Sequence, residues 1–125
     1  MRIINHVVSI AVLITLLALV TSCTLNPFNQ KPVAVITITQ GSAIGSPPLT
    51  LSFDISASSD LDGQIVSFTL DFADASSPIE GTDITQPMAH TFTAVGQHFV
   101  TLTVVDNGGK EGMSQLLIVV SEPTE

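Results

Sequence analysis

The chain has 125 residues, of which 11 are Asp or Glu and only three are Lys or Arg, so its formal net charge at pH 7 is −8. A surface this acidic repels the phosphates of nucleic acid, which is therefore not expected as a partner. A single cysteine, Cys23, excludes an intrachain disulfide and a zinc site built from several thiolates, so the fold must be held by its core.

The first 22 residues have the three-part layout of a secretory signal. Arg2 supplies a positive charge, Val7 to Val20 is apolar apart from two hydroxyl residues, and the small Thr21 and Ser22 follow. A helix of about 14 residues would be roughly 21 Å long, which is short of the roughly 30 Å core of a bilayer. We therefore predict a cleaved signal peptide over residues 1–22 rather than a permanent transmembrane helix.

Val20-Thr21-Ser22-Cys23 resembles the bacterial lipoprotein box, in which an aliphatic residue and two small residues precede a cysteine. The resemblance implies cleavage before Cys23, a diacylglyceryl thioether on its sulfur and acylation of the new amino group. Several acyl chains anchor a protein stably, whereas one is marginal. The resemblance also implies a lipid anchor in the bacterial cell envelope, at the outer membrane if the cell is Gram-negative, because Thr24 follows the cysteine instead of Asp. The alternative is an ordinary signal peptide with a chance cysteine near its cleavage site.

The rest of the chain divides into three parts. Residues 23–31 show no periodicity and include proline and asparagine, which predicts a tether that reaches roughly 30 Å when extended. Residues 32–120 are predicted to form one domain, and the polar residues 121–125 a frayed tail. Without the signal, the basic residues are only Lys31 and Lys110, against eleven acids.

From Val33 onward, apolar residues follow the period of two that indicates half-buried strands. Leu49 to Ser56 alternates without exception, and Val66 to Phe72 repeats the pattern, with Val66 on the core side. Strands are predicted over Val33–Ile38, Leu49–Ser56, Val66–Phe72, His90–Thr93, His98–Val105 and Met113–Val120. Six or seven short strands separated by turn residues predict an all-β antiparallel sandwich.

Five motifs in order along the chain carry a resemblance to a known family. They are Pro47-Pro48-Leu49-Thr50-Leu51, Ser58-Ser59-Asp60-Leu61-Asp62-Gly63, Leu70-Asp71-Phe72-Ala73-Asp74-Ala75, His90-Thr91-Phe92 and Val100-Thr101-Leu102-Thr103-Val104-Val105-Asp106-Asn107-Gly108-Gly109. They resemble the PKD (polycystic kidney disease) domain over approximately residues 32–120. The resemblance implies an immunoglobulin-like β-sandwich of about seven strands and a non-catalytic binding or spacer module, as found in animal membrane proteins and secreted microbial hydrolases.

The sequence departs from the family in one motif, which usually reads Trp-Asp-Phe-Gly-Asp-Gly. Leu70 stands at the Trp position, and Ala73 and Ala75 stand at the two glycines. Leucine is expected to fill less of the core than an aromatic side chain. Alanine at a positive φ costs about 1 kcal/mol or more. We therefore expect the loop after Phe72 to differ from the family's usual turn.

The candidate metal ligands are Ser59, Asp60, Asp62 and Asp106, with Asn107 as a neighbour. In an immunoglobulin-like order their two loops lie at the same end of the sandwich, so the carboxylates could converge. Calcium takes six to eight oxygen ligands, which such loops supply. Some PKD domains resemble this in binding calcium near the same loop. The alternative is that the loop from Asp60 is only a tight turn, in which Asp bonds its own backbone.

The remaining polar candidates have structural interpretations. His90 lies in a family motif and is expected to be packed or hydrogen-bonded, and His98 is expected to be exposed or at a sheet edge. His6 leaves with the signal. Asp71 and Asp74 could imitate a glycosidase pair, but a domain of this size has little room for a deep cleft, so they are predicted as a strand and a turn residue.

The combined expectation is a membrane-anchored binding or spacer module that is not an enzyme and contacts a protein of the cell envelope. The alternative is a calcium-dependent glycan-binding module or an accessory subunit of a cell-envelope hydrolase. The chain has no Trp or Tyr, which weakens the glycan interpretation. A strand edge at Val33–Ile38 or Met113–Val120 could receive a partner by strand addition.

Overall fold

A computed structural model describes residues 27–125 of the protein. This part of the chain forms strands and loops with no helix, which confirms the all-β prediction. The signal segment and Cys23 lie outside the described residues, and residues 27–125 include no helix with the length and hydrophobicity to span a membrane. The strands are β1 Thr37–Gln40, β2 Ile44–Gly45, β3 Leu49–Asp54, β4 Ile65–Asp71, β5 Ile79–Gly81, β6 Met88–Phe92, β7 Gly96–Asp106 and β8 Glu111–Val120.

The strands form two sheets, one with the order β1-β3-β6 and the other with the order β2-β8-β7-β4-β5. Every pairing is antiparallel except that of β2 with β8, which is parallel. The N-terminal segment therefore contributes β1 to one sheet and β2 to the other. The predicted immunoglobulin-like sandwich is confirmed.

The core lies between the sheets and is built from the alternate residues that face inward. Leu70 is fully buried, so the position of the family's Trp stays in the core with a smaller side chain. The rings of Phe53, Phe72 and Phe92 pack together, with centroids 5.8 Å apart for Phe53 and Phe72 and 6.1 Å apart for Phe72 and Phe92. The buried apolar residues are Leu51, Phe53, Ile55, Phe68, Leu70, Phe72, Met88, Phe92, Val100, Leu102, Val104, Ile118 and Val120.

Two strand predictions need correction. The strand predicted from Val33 begins only at Thr37, and Val33 itself makes an isolated bridge to Ser59. The register of β4 against β7 shifts between Ile65 and Ser67, so Ile65 packs on the core while Val66 is exposed. A bulge of this kind inserts one residue and reverses the alternation on one side of it.

β7 defines the two ends of the sandwich. Its 11 residues extend roughly 35 Å. We call the end at Asp106 the acidic end; it comprises residues 56–64 and 106–110. The opposite end comprises residues 72–78 and 93–95, and β8 finishes there because Val120 pairs with Gly96.

Candidate cation site at the acidic end

Two loops of the acidic end are joined by hydrogen bonds between Gln64 and Asn107. The Asn107 amide donates to the Gln64 carbonyl at 2.9 Å, and the Gln64 amide donates to the Asn107 side-chain oxygen at 3.1 Å. A Cβ on Gly63 would lie 2.2 Å from that side-chain oxygen and 2.7 Å from Oδ2 of Asp60. Gly63 is therefore required for close approach, and the two loops meet as predicted.

Asp106 is 1% exposed and its carboxylate accepts three hydrogen bonds. Oδ1 accepts from the Gly108 and Lys110 amides, both at 2.8 Å, and Oδ2 accepts from Nδ2 of Asn29 at 2.8 Å. Burial alone would raise the pKa of Asp106, but the hydrogen bonds from Lys110, Asn29 and the glycine amides outweigh it and lower the pKa. Asp106 is therefore a buried, ionised carboxylate that holds its loop in shape.

Residues 28–31, which we call the strap, cross the acidic end. The Gln30 amide donates to Oδ2 of Asp62 at 2.9 Å, and Nζ of Lys110 donates to the Asn29 carbonyl. Together with the bond from Asn29 to Asp106, these contacts tie the strap to both loops. Asn29 and Gln30, predicted to lie in the tether, are thus attached to the domain.

Asp60 differs from its neighbours because both of its carboxylate oxygens are shielded from solvent and lack a hydrogen-bond partner among the described residues. Burial raises the pKa of Asp60, and the adjacent Asp62 carboxyl and the charge of Asp106 raise it further, which outweighs the opposite effect of the nearby Asp62 amide. An unpartnered buried carboxylate is costly unless it is neutralised. A hard cation would supply that charge, so this residue fits a calcium ligand.

The other predicted ligands fit a cation less directly. Within residues 27–125, no three His, Cys, Asp or Glu side chains form a group that could hold a metal ion. Asp62 and Asp106 already accept hydrogen bonds from the strap and the loops. Ser59 pairs through its main chain with Val33 at 2.7 and 3.0 Å. A cation would therefore bind first to the Asp60 carboxylate. The oxygens of Asp62, Asp106 and Ser59 would have to give up a hydrogen bond in order to bind it.

His90 is a packed structural histidine, as predicted. Its ring is parallel to that of Phe72, with centroids 3.8 Å apart, and Nε2 lies 2.6 Å from Oδ2 of Asp74. Burial alone would raise the pKa of Asp74, but hydrogen bonds from Ser76 and His90 outweigh it and lower the pKa. Asp71 is an exposed strand residue that accepts from the Ala73 amide at 2.8 Å.

His98 is buried, so the prediction of an exposed or edge residue is wrong. Nδ1 lies 3.2 Å from the Ala73 carbonyl and Nε2 lies 3.0 Å from the Ala94 carbonyl. The alternation of β7 contained this signal, because position 98 is in phase with the buried Val100 and Leu102.

Ala73 and Ala75 have φ of 54° and 66°, so the backbone keeps the left-handed conformation that glycine favours. The two alanines therefore hold positive φ in spite of the cost that this conformation has for a residue with a Cβ. Neighbouring carboxylates hold the turn, since Asp71 accepts from the Ala73 amide and Asp74 accepts from the Ser76 amide at 3.2 Å.

The outer face of the five-stranded sheet carries the exposed apolar side chains of Phe99, Leu117 and Ile44 and the half-buried Val119. Phe99 lies opposite Leu117, and Ile44 lies opposite Val119 on the neighbouring strand pair. We call these four residues the outer patch. The predicted edge at Met113–Val120 is covered by β2 at Val119 and Val120, whereas β1 is an edge strand of its sheet.

Comparison with known proteins places this fold in a family. The model of the PKD domain family matches residues 29–120, beginning within the strap. A search of curated proteins found no match. Among solved structures, the PKD1 domain of Vibrio anguillarum Epp is 26% identical with a TM-score of 0.57, over 76% of this chain and 99% of that one.

Two further solved structures are similar. The PKD1 domain of the Vibrio cholerae metalloprotease PrtV is 28% identical with a TM-score of 0.56, over 74% of this chain and 99% of that one. A structure from work on the promiscuous specificity of carbohydrate-binding modules of the β-sandwich superfamily is 31% identical, with a TM-score of 0.63. That match covers 78% of this chain but spans only 37% of the other. The family match over residues 29–120 shows that the chain belongs to the PKD domain family.

Proposed function

We propose that this protein is a lipid-anchored, non-catalytic spacer of the bacterial cell envelope that presents a protein-binding surface. PKD domains are commonly extracellular binding or spacer modules, and they are generally non-catalytic. The observation that carries the proposal is where the chain enters and leaves the domain. Asn29 is bonded to Asp106 at one end of β7, and Val120 pairs with Gly96 at the other.

This placement suits a spacer. The N-terminal segment joins the domain at the acidic end, so the length of the sandwich, roughly 35 Å along β7, separates the proposed anchor from the opposite end. β7 and β8 run along this length and pair over ten residues of each strand.

The anchor is proposed at Cys23, from its lipoprotein-box sequence. Metabolic labelling with palmitate tests it: the label should follow the wild-type protein and vanish in Cys23→Ala. Ser22→Ala keeps a small residue before the cysteine and should retain the label. Label that survives in Cys23→Ala would contradict lipidation at this residue.

The proposed contact surface is the outer patch. Phe99 is 50% exposed and Ile44 is 67% exposed, and the polar side chains of Gln97, Thr101 and Gln115 lie beside them on the same face. Grouped apolar side chains with a polar rim are typical of protein interfaces. A glycan platform is less favoured because sugars stack on exposed aromatic rings and the chain has no Trp or Tyr.

Site-specific photo-cross-linking on intact cells tests the surface. A photoreactive residue at Leu117 should give a discrete protein adduct, and one at Glu80, on the same face but on the distant edge strand β5, should not. Phe99→Ser should reduce the adduct at 117. Equal adducts at both positions, or none at either, would argue against a partner on the outer patch.

Calcium is proposed as a ligand of the acidic end, supported by the unpartnered Asp60 carboxylate. Asp60 would hold the ion, with oxygens from Ser59, Asp62 and Asp106 completing the set. The ion would supply positive charge beside the unpartnered Asp60 carboxylate. In this role it stabilises the loops and takes no part in a reaction.

A further inference from the structure

We propose that the acidic end of the domain rests on the lipid surface to which the chain is anchored, with Leu61 as the side chain that enters the interface. This inference depends on the proposed lipid at Cys23. It extends that proposal, because it assigns one end of the sandwich to the membrane and directs the opposite end away from it.

The strap determines which end faces the membrane. Asn29 and Gln30 are hydrogen-bonded to Asp106 and Asp62, so the N-terminal segment joins the domain at the acidic end. Between Cys23 and Phe28 there are five residue steps, which extend at most roughly 17 Å. A tether this short keeps the acidic end within about one headgroup layer and a few water layers of the bilayer core.

The exposed apolar side chains at this end fit a lipid interface. Leu61 and Phe28, with 85% and 82% of their surface exposed, are the two most exposed large hydrophobic residues among those the structure describes, and Val33 is 59% exposed. Leu61 is at the tip of the loop between Asp60 and Gly63. Apolar side chains that enter the headgroup boundary bind in proportion to the area they bury.

The charged residues of the acidic end favour a lipid surface that carries no net charge. Lys31 and Lys110 are the only basic residues in the described part of the chain, and both are here. The Lys31 side chain can place its ammonium group among lipid phosphates while its stem covers apolar surface, whereas the Lys110 ammonium donates to the Asn29 carbonyl. Asp62 is exposed and would be repelled by anionic lipids, whereas Asp106 is buried. A zwitterionic lipid surface therefore suits this end.

A weak contact is sufficient because the anchor makes it intramolecular. A short tether holds the loop at a high effective concentration near the bilayer, so one or two apolar side chains can keep the end docked. The same side chains in a soluble protein would give little membrane binding. Docking is therefore expected of the acylated mature protein.

Depth-dependent fluorescence quenching tests the proposal. The acylated protein is purified and reconstituted into phosphatidylcholine vesicles, with an environment-sensitive fluorophore on Leu61→Cys or, as the matched control, on Val95→Cys. Val95 is 50% exposed and lies at the opposite end. Because Cys23 carries lipid, the introduced cysteine is the only thiol. Brominated lipids should quench the label at position 61 several-fold more than the label at position 95.

Flotation of the vesicles separates the two proposals. Protein that floats and shows equal quenching at both positions, or none at position 61, overturns the docking while leaving the anchor intact. Protein that does not float overturns both. In a second measurement, Leu61→Asp should float normally but raise the accessibility of a label on Val33→Cys to a water-soluble quencher. Unchanged accessibility in that variant also overturns the docking.

Discussion

The Nε2 atom of His90 lies 2.6 Å from Oδ2 of Asp74, and the same imidazole stacks on Phe72 at 3.8 Å. One side chain therefore joins the aromatic core to the turn after β4. The same turn also contacts His98, whose Nδ1 lies 3.2 Å from the Ala73 carbonyl. Two histidines from different sheets thus hold a turn that contains two left-handed alanines.

We predict that His90→Gln destabilises the domain by about 1 kcal/mol, because it removes the stacking on Phe72 and leaves a weaker contact for Asp74. The lowered pKa of Asp74 adds a pH dependence. A carboxyl whose folded pKa is lowered stabilises the fold above its unfolded pKa, near 4, and this stabilisation is lost as pH falls through the folded value. Urea unfolding at pH 7 and pH 3 measures both effects.

The control for this prediction is Asp71→Asn, since Asp71 is exposed and bonds only its own turn in the described structure. The difference in stability between His90→Gln and the wild type should shrink at pH 3. A difference that is the same at both pH values would show that the contact with the Asp74 carboxylate contributes nothing.

We predict that Ala73→Gly and Ala75→Gly each raise the free energy of unfolding by up to about 1 kcal/mol. At positive φ, alanine costs roughly 1–2 kcal/mol, of which the greater freedom of glycine in the unfolded chain cancels a part. Ala89→Gly is the matched control, because Ala89 lies in β6, where glycine lowers stability. Urea midpoints of the three variants check the prediction. If the urea midpoints of Ala73→Gly and Ala75→Gly are both lower than that of the wild type, alanine is not strained at these two positions.

The sequence predicted most of this fold because alternation is a local property. The alternation predicted β3, β7 and β8, since apolar and polar residues alternate over six or more residues in each of them. β2 and β5 have two and three residues, too few to show a period. The exposure of Val66 depends on a register shift against β7, which alternation within β4 cannot reveal.

The candidate site was predictable in part for the same reason. Fold order alone brought Asp60, Asp62 and Asp106 to one end. The strap was missed because Asn29 and Gln30 have no apolar periodicity, and their order comes from hydrogen bonds to residues 77 and 32 positions away in the chain. Contacts between polar groups so distant in sequence leave no local pattern.

We predict that millimolar Ca²⁺ raises the melting temperature of the protein and that Asp60→Asn abolishes the rise. Without calcium, Asp60→Asn should itself raise the melting temperature at pH 7. The reason is that a carboxyl whose folded pKa is raised disfavours folding at pH values where it must be ionised. Differential scanning calorimetry with and without EDTA measures both effects.

Asp83→Asn is the control for the calcium prediction. Asp83 is exposed and accepts hydrogen bonds within its own turn, from Thr85 at 2.9 Å and from Gln86 at 2.8 Å, so this variant should keep the full response to calcium. If calcium does not change the melting temperature of the wild-type protein, the loop from Asp60 is only a tight turn. A response that persists in Asp60→Asn would assign the ion to another place.

We predict that Asp106→Asn lowers the melting temperature by more than about 5 °C, because one carboxylate holds the strap and the last loop together. An amide cannot accept from Asn29, Gly108 and Lys110 as the carboxylate does, and its NH₂ group would face a donor. Asn29→Ala removes only the strap contact and should cost less. It should also increase proteolytic cleavage before Val33 while leaving the sandwich intact, as limited proteolysis and mass spectrometry would measure. If instead Asn29→Ala and Asp106→Asn lower the melting temperature equally, the bonds to Gly108 and Lys110 contribute nothing, and the strap alone accounts for the role of Asp106.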